Sequence, residues 1–315
     1  MPKPLSTLVI AGPTGVGKTA LAVDVCLELG GEIVGADSVQ VYRGFDIGSS
    51  KPTAKELKGI RHHLIDVVEP NEPMDAARYA QLADAAIADI HGRGMLPVVV
   101  GGTGLWLRAL LRGLLELPKS DPQLRHSIEV QWQREGADAA FRRLREVDPI
   151  SAASIHSNDR LRVVRALEVH AQTGRALGEL RKAHALGKPK YNALGLCVDL
   201  PIEHYRQMVA MRTRAMLDDG LGDEVAALLT RFGPDVRAMS AVGYRQMRDH
   251  LLRVPGSDAA DVAEDIVRAT LLYARRQRTW FARDPNIHLR CDPASARQLD
   301  ILQRLHAQCG DTLTQ

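Results

Sequence analysis

The stretch that points most directly to chemistry is GPTGVGKT at residues 12–19, which follows the apolar run Leu8–Ala11. Its spacing is typical of a phosphate-binding loop, in which glycines let consecutive backbone N–H groups face phosphate oxygens. Lys18 would neutralise phosphate charge and Thr19 would bind a magnesium ion. The predicted phosphate-binding positions are Gly12, Pro13, Thr14, Gly15, Val16, Gly17, Lys18 and Thr19. The pattern predicts a bound phosphate but does not specify the adenine of a nucleotide.

Two further sets of polar or glycine residues follow apolar runs. Asp37-Ser38-Val39-Gln40 comes after residues 32–36, and Gly101-Gly102-Thr103-Gly104 comes after residues 96–100. In a parallel sheet the carboxyl ends of the strands meet at the edge where ligands bind. Asp37 would therefore face the phosphate loop, although an aspartate at a strand end is as often only a turn former.

The glycine-rich run is equally consistent with a tight connection from strand to helix. A nucleoside triphosphatase is expected to carry a magnesium-binding aspartate at the end of such a strand. This run ends in glycine instead, with Asp66 as the alternative carboxylate.

The elements that must position these residues are predicted as alternating strands and helices. Short apolar runs predict strands at 8–11, 32–36, 63–68, 96–100 and 191–200, and helical spacing predicts helices at 18–29 and 76–91. Continuous apolar strands that alternate with helices favour a parallel sheet covered on both faces. The predicted fold class is α/β, with a P-loop-type parallel sheet flanked by helices.

The strand signal disappears in the middle of the chain, where charged helical patterns occupy 123–135, 137–146 and 161–172. We therefore predict three parts. Residues 1–116 form the first part of the P-loop core, residues 117–190 form a helical insertion domain, and residues 191–315 supply a return strand and C-terminal helices that complete the core.

The bulk composition of the 315 residues is that of an ordinary globular protein, 45% hydrophobic and 25% charged. A net charge of +3 is too small to indicate a nucleic-acid partner, so a basic site must be a local cluster. The four cysteines have no zinc-ligand spacing, and neither a signal peptide nor a membrane span is predicted. These features predict a cytoplasmic protein with no membrane partner, and the lack of a coiled-coil repeat favours a monomer.

Segments along nearly the whole chain resemble the tRNA dimethylallyltransferase family, in the family's order. They are GPTGVGKT at 12–19, ADSVQVYRGFDIGSSKPT at 36–53, RHHLID at 61–66, PVVVGGTGLW at 97–106, NDRLRVVRALEV at 158–169, AVGYRQM at 241–247 and ARRQRTWFAR at 274–283. The resemblance implies transfer of a dimethylallyl group from dimethylallyl diphosphate to N6 of the adenosine just 3′ of a tRNA anticodon, with Mg²⁺ as cofactor. The loop phosphates would then belong to the leaving diphosphate.

The resemblance also implies roles for single residues. Asp37 matches the catalytic aspartate and would act as general base, Lys18 would stabilise the leaving group, and Thr103 would hydrogen-bond the departing oxygen. Arg212 matches an arginine that grips diphosphate, but Arg206 and Arg214 compete for this role because Met208 stands where the family often carries arginine.

The segments that match tRNA-contacting parts of the family are spread along the chain. They comprise Asp37, Ser38, Val39, Gln40, Thr103, Arg160, Leu161, Arg162, Val163, Val164, Arg165, Gly243, Tyr244, Arg245, Arg275, Arg276, Gln277 and Arg278. Without the resemblance, the arginines of helix 261–283 are typical of a solvated face beside a core-facing stripe that includes Trp280. Ser240 and Leu271-Leu272 depart from the family pattern in ways that would affect tRNA binding.

Three other functions fit part of the pattern. A P-loop small-molecule kinase would use ATP, with Asp37 deprotonating a hydroxyl group. A related prenyltransferase would act on free adenine nucleotides, which the helical insertion and the arginine-rich helix disfavour. A non-catalytic RNA-binding protein would have no need for Lys18, Thr19 and Asp37 together.

Overall fold

The chain folds into two compact units in this computed structural model, which describes residues 6–185, 189–253 and 260–296. The first unit contains the chain up to Leu111 and again from Lys190, and the second contains Arg112–Pro189. The N–H of Lys190 donates to the carbonyl of Leu111 at 2.9 Å. The chain therefore leaves and re-enters the first unit at one place.

A six-stranded parallel sheet forms the centre of the first unit. Its strands are β1 (Ser6–Ala11), β2 (Gly31–Gly35), β3 (His62–His63), β4 (Leu96–Gly101), β5 (Asn192–Val198) and β6 (Leu289–Cys291), in the order β3-β2-β4-β1-β5-β6. Strands β1, β2 and β4 are buried along their whole length, as continuous apolar runs predict. The α/β fold class predicted from the sequence is confirmed.

Helices cover both faces of this sheet. Before the second unit these are α1 (Lys18–Leu29), α2 (Ala54–Leu57), α3 (Ala76–Gly92) and α4 (Gly104–Arg112). The second unit itself contains α5 (Pro122–Val147), α6 (Pro149–Ala152), α7 (Arg160–Thr173) and α8 (Leu177–Ala185). Those after it are α9 (Ile202–Asp218), α10 (Leu221–Phe232), a 3₁₀ turn (Arg237–Ser240), α11 (Tyr244–Arg253), α12 (Ala260–Ala282) and α13 (Pro293–Ala296). Strand side chains alternate between two apolar clusters, with Val9 and Val99 in one and Leu8 and Val98 in the other. Among the described residues, no helix has the length and apolar composition needed to cross a bilayer.

Three details differ from the sequence prediction. Strand β3 has only two residues, because Leu64 and Asp66 take positive φ values of 64° and 55° and turn the chain out of the sheet. Strand β6 was not predicted. Helix α5 runs through the predicted break between two helices, but Gly136 has a φ of 83° and kinks it there. Asp66, the alternative carboxylate of the sequence analysis, pairs with Lys51 at 2.5 Å.

Candidate active site

The predicted phosphate loop connects β1 to α1 in the first unit. Gly15 and Gly17 have φ values of 80° and 86°, a region that glycine enters at little cost and other residues rarely adopt. A side chain at position 12 is excluded for a steric reason, since a Cβ there would lie 2.2 Å from the carbonyl oxygen of Val198 in β5. No side chain caps the start of α1, so its first N–H groups and the positive end of the helix are directed at the loop.

Lys18 begins α1 and donates from Nζ to the carbonyl of Pro13 at 2.6 Å. Burial lowers the pKa of Lys18 to about 8, an effect that Asp37 opposes and Arg212 reinforces. The ammonium group of Lys18 therefore contacts the backbone of the predicted phosphate loop. Thr19, the predicted magnesium ligand, follows in the first turn of α1 and is half-buried.

Asp37 lies just beyond the carboxyl end of β2, at the same edge of the sheet as the loop. Its Oδ1 accepts the N–H groups of Val39 at 2.8 Å and Gln40 at 3.2 Å. Among the described residues no hydrogen bond involves Oδ2. The turn therefore fixes the carboxylate through one oxygen and leaves the second oxygen available to accept a further hydrogen bond.

Thr103 lies beside Asp37 through two hydrogen bonds to the segment after β2. Its N–H donates to the carbonyl of Ala36 at 3.3 Å, and its Oγ1 accepts the N–H of Ser38 at 3.2 Å. The connection from β4 to α4 and the turn after β2 are therefore joined at the edge of the sheet.

Arg212 is the arginine of α9 that approaches the phosphate loop. Its Nε donates to Ser50 Oγ at 3.1 Å and its Nη1 lies 3.4 Å from Thr14 Oγ1. Burial lowers the pKa of Arg212. Of its competitors, Arg206 pairs with Glu203 at an exposed position and Arg214 is exposed.

Asp37 and Arg212 line a cavity of about 270 Å³ in the first unit, together with Thr14 and Gly15 of the loop. Its polar lining includes Thr14, Gly15, Asp37, Ser38, Ser49, Arg212, Arg245, Tyr273 and Arg276, and its apolar lining includes Val39, Met208, Val209, Met216, Val242 and Ile266. Burial raises the pKa of Tyr273 to about 12, and Asp37 acts in the same direction. The cavity thus combines an anion-binding end with an apolar wall and a carboxylate.

Glu224 of α10 supports the cavity in a way that sequence patterns did not reveal. Its carboxylate accepts the N–H groups of Asp46, Ile47 and Gly48 at 3.0, 2.7 and 3.2 Å. The hydroxyl of Tyr244 donates to the same carboxylate at 2.6 Å. This carboxylate fixes the segment that precedes Ser49 and Ser50. Ser49 lines the cavity, and Ser50 accepts a hydrogen bond from Arg212.

The four predicted tRNA-binding residues of α12 divide into two pairs. Arg275 and Arg276 are exposed, and the guanidinium of Arg276 lies 5.6 Å from the centre of the Tyr273 ring. Gln277 and Arg278 point inward instead: Gln277 is buried, and Arg278 forms two hydrogen bonds of 2.7 Å to Asp199. Exposure leaves the first pair available to RNA.

Tyr244 is also buried, because its ring packs over Gly48 and its hydroxyl is engaged by Glu224. Its side chain supports the cavity and is withdrawn from RNA contact in this structure. The neighbouring Arg245 is exposed and lines the cavity, and its contact with RNA stays a prediction.

The predicted tRNA-binding residues of the second unit lie on α7. Arg160, Leu161 and Arg162 are exposed, whereas Val163 and Val164 are fully buried. Arg165 is half-buried and pairs with the buried Glu168 at 2.8 Å. The prediction of RNA contact on this helix therefore rests on its exposed arginines, and the two valines pack in the interior of the unit.

No group of three or more His, Cys, Asp or Glu side chains able to hold a metal ion occurs in the part of the chain that the structure describes. The one predicted protein ligand is the hydroxyl of Thr19, and Mg²⁺ usually keeps several waters and takes few protein ligands. The role of Thr19 as a metal ligand stays a prediction.

The family model described as IPP transferase matches residues 40–284. The chain belongs to the IPP transferase family. The resemblance inferred from the sequence is thereby confirmed.

Relatives of this IPP transferase are similar over most of its length. A tRNA dimethylallyltransferase of Anaeromyxobacter dehalogenans (strain 2CP-C) is 48% identical over 283 residues, which is 89% of this chain and 93% of that protein. The crystal structure of the full-length tRNA isopentenylpyrophosphate transferase from Bacillus halodurans is 33% identical, with a TM-score of 0.72 and 98% of both chains covered. A eukaryotic dimethylallyltransferase acting on tRNA is 27% identical, with a TM-score of 0.79, covering 98% of this chain and 80% of that one.

Proposed function

We propose that this enzyme transfers the dimethylallyl group of dimethylallyl diphosphate to N6 of the adenosine 3′-adjacent to a tRNA anticodon, and releases diphosphate. The observation that carries the proposal is the shared cavity, whose lining brings Asp37 together with Arg212 and with the loop residues Thr14 and Gly15. The family supports the substrate classes, and the geometry supports the roles given to individual residues.

The reaction forms a bond between N6 and C1 of the dimethylallyl group while the bond between C1 and the diphosphate oxygen breaks. The electron pair of the broken bond leaves with the diphosphate. Adenine N6 is a weak nucleophile because its lone pair is delocalised into the ring, so the reaction depends on stabilising the departing anion. The loop N–H groups, Lys18 and Arg212 meet that charge.

Asp37 receives the proton that N6 loses. Its fixed Oδ1 and its second oxygen suit this role, since a general base must be held within reach of the proton that it takes. Thr103, next to the turn that carries Asp37, donates its hydroxyl hydrogen to the departing oxygen. Residues Val39, Met208 and Ile266 form an apolar wall against which the branched hydrocarbon would pack.

Mg²⁺ would be held by Thr19 and the diphosphate oxygens, and would neutralise part of the leaving-group charge. The exposed arginines Arg245, Arg275 and Arg276 in the first unit, and Arg160 and Arg162 in the second, would bind the anticodon stem-loop. The target base would be flipped out of its stack to reach Asp37. The monomeric state and the cytoplasmic location stay predictions.

The proposal is tested by incubating the protein with tRNA, Mg²⁺ and dimethylallyl diphosphate, followed by mass spectrometry of the nucleosides. A dimethylallyl group on N6 of the adenosine beside the anticodon is expected. Turnover of ATP without any prenyl diphosphate would instead identify a kinase. In a competition experiment, preferential labelling of AMP over tRNA would identify a prenyltransferase of free nucleotides.

Asp37→Ala tests the base. Its single-turnover transfer rate should fall by roughly 10² to 10⁴-fold, with tRNA affinity nearly unchanged, because the base acts in the chemical step. A near-normal rate for this variant would remove Asp37 from that role.

A further inference from the structure

Gln277 of α12 joins two parts of the active site that are far apart in sequence. Its Oε1 accepts the N–H of Thr14 in the phosphate loop at 3.0 Å, and its Nε2 donates to the carbonyl of Gly102 at 2.9 Å. The side chain is only 5% exposed. Both ends of the amide are therefore used inside the protein.

The amide can satisfy this position in only one orientation. Thr14 presents a donor and Gly102 presents an acceptor, so a rotated amide would place two donors together at one end and two acceptors at the other. Space is equally restricted, because a Cβ on Gly102 would lie 2.3 Å from Nε2 of Gln277. The glycine at 102 lets the helix side chain reach the backbone.

Thr14 is held at each of its polar groups. Besides the bond from its N–H to Gln277, its carbonyl accepts the hydroxyl of Tyr205 at 3.0 Å, and its Oγ1 lies 3.4 Å from Arg212. The other end of the Gln277 amide holds Gly102, directly before Thr103. Thr103 in turn holds the N–H of the residue that follows Asp37.

We propose that Gln277 is a positioning residue that sets the distance between the diphosphate-binding loop and the Thr103–Asp37 pair. This inference rests on the proposed function and replaces the predicted tRNA contact of Gln277 by a role inside the protein. The electrophilic carbon travels with the diphosphate on one loop, and the group that activates the nucleophile lies on the other. A small error in their separation slows transfer without weakening RNA binding, because reacting atoms must lie close together and aligned.

Gln277→Glu and Gln277→Met test the role. The ionised form of Gln277→Glu and the variant Gln277→Met both lack the donor to Gly102. At a pH where that glutamate is ionised, single-turnover transfer from saturating substrates should slow by roughly tenfold to a hundredfold in both variants. The dissociation constant for tRNA should stay within about twofold of the wild-type value, because the side chain is withdrawn from RNA contact.

The pH dependence separates positioning from a general loss of packing. A protonated glutamic acid has the shape of glutamine and can donate its O–H to Gly102 while accepting from Thr14. The rate of Gln277→Glu relative to wild type should therefore rise as the pH is lowered, since burial favours the neutral acid. The relative rate of Gln277→Met should not change with pH.

Gly102→Ala provides an independent variant from the opposite side of the contact. Its Cβ would displace Nε2 of Gln277, so transfer should slow while tRNA affinity is kept. Thermal unfolding of each variant reports whether it is folded. The inference would be overturned if the rate of Gln277→Glu relative to wild type did not change with pH. It would also be overturned if the variants lost tRNA affinity but transferred normally to bound tRNA. Failure of the wild-type protein to modify tRNA would overturn the proposed function instead.

Discussion

Lys18 allows a quantitative test of how burial tunes the anion site. A lysine must be protonated to hold diphosphate by charge, and burial lowers the pKa of Lys18 to about 8 from an ordinary value of 10.5. A bound diphosphate would raise this pKa again, because an adjacent anion favours the charged form. Diphosphate affinity should therefore decrease as the pH rises through the pKa of the free protein.

The size of the decrease follows from the fraction of protonated lysine. At about pH 9 a lysine with a pKa of about 8 is roughly one-tenth protonated, whereas a lysine with the ordinary pKa is almost fully protonated. The affinity for diphosphate at about pH 9 should thus be about tenfold lower than at neutral pH, equivalent to about 1.4 kcal/mol of binding free energy.

Inorganic diphosphate itself titrates in this range, so the assay needs a matched control. Lys18→Arg keeps a positive charge that does not titrate there, since the pKa of an arginine lies above about 12. Calorimetric titration of both proteins with diphosphate and Mg²⁺ at a series of pH values yields a ratio of dissociation constants, from which the ligand's own titration cancels. A ratio that stays constant up to about pH 9.5 would show that Lys18 has an ordinary pKa, and the argument from burial would fail.

Three further predictions concern named side chains. Arg212→Ala should weaken diphosphate binding by roughly tenfold to a hundredfold, as expected for a lost hydrogen bond to a charged group, while Arg214→Ala has little effect in the same calorimetric assay. Arg275→Ala should reduce the slope of log tRNA affinity against log salt by up to about one unit, and an unchanged slope would place the RNA elsewhere. Gly104→Ala should lower the melting temperature, because the new Cβ would lie 2.2 Å from Nε1 of Trp280. Such overpacking costs about 1–3 kcal/mol of stability. Gly92→Ala, whose Cβ would meet no atom within 4 Å, is the control that should not be destabilised.

Local sequence patterns predicted the parts of the site that depend on short segments. The phosphate loop and Asp37 each follow a buried strand, and the ordering of parallel strands then places them at one edge of the sheet. The resemblance favoured Arg212 but left Arg206 and Arg214 as competitors, because arginines on one helix differ mainly in the direction that they face; in the structure only Arg212 of these three lines the cavity.

The supporting contacts could not be predicted because they join residues that are distant in sequence. Glu224 is separated from the N–H groups that it accepts by 176 to 178 residues, and Gln277 from Thr14 by 263. Gln277 also lies among arginines, in a segment typical of a solvated face. The signal that was available was the glycine at 102, which marks a close approach without identifying the partner.

Strand β3 is short because of its local backbone conformation, which its amino-acid composition does not predict. Residues 63–68 are mostly apolar, yet Leu64 and Asp66 adopt left-handed backbone conformations. Such conformations are uncommon outside glycine, so a prediction from apolar content extends the strand too far.

The position of β1 has a consequence for how the enzyme is made. This strand lies between β4 and β5, and its first residue, Ser6, is hydrogen-bonded to Asn192, 186 residues later. During synthesis on the ribosome the phosphate loop therefore emerges long before its sheet is complete, and Gln277 follows later still. A polypeptide truncated before residue 190 would lack both β5 and Gln277, so a nascent chain should acquire its full diphosphate affinity only after residue 277 has been added.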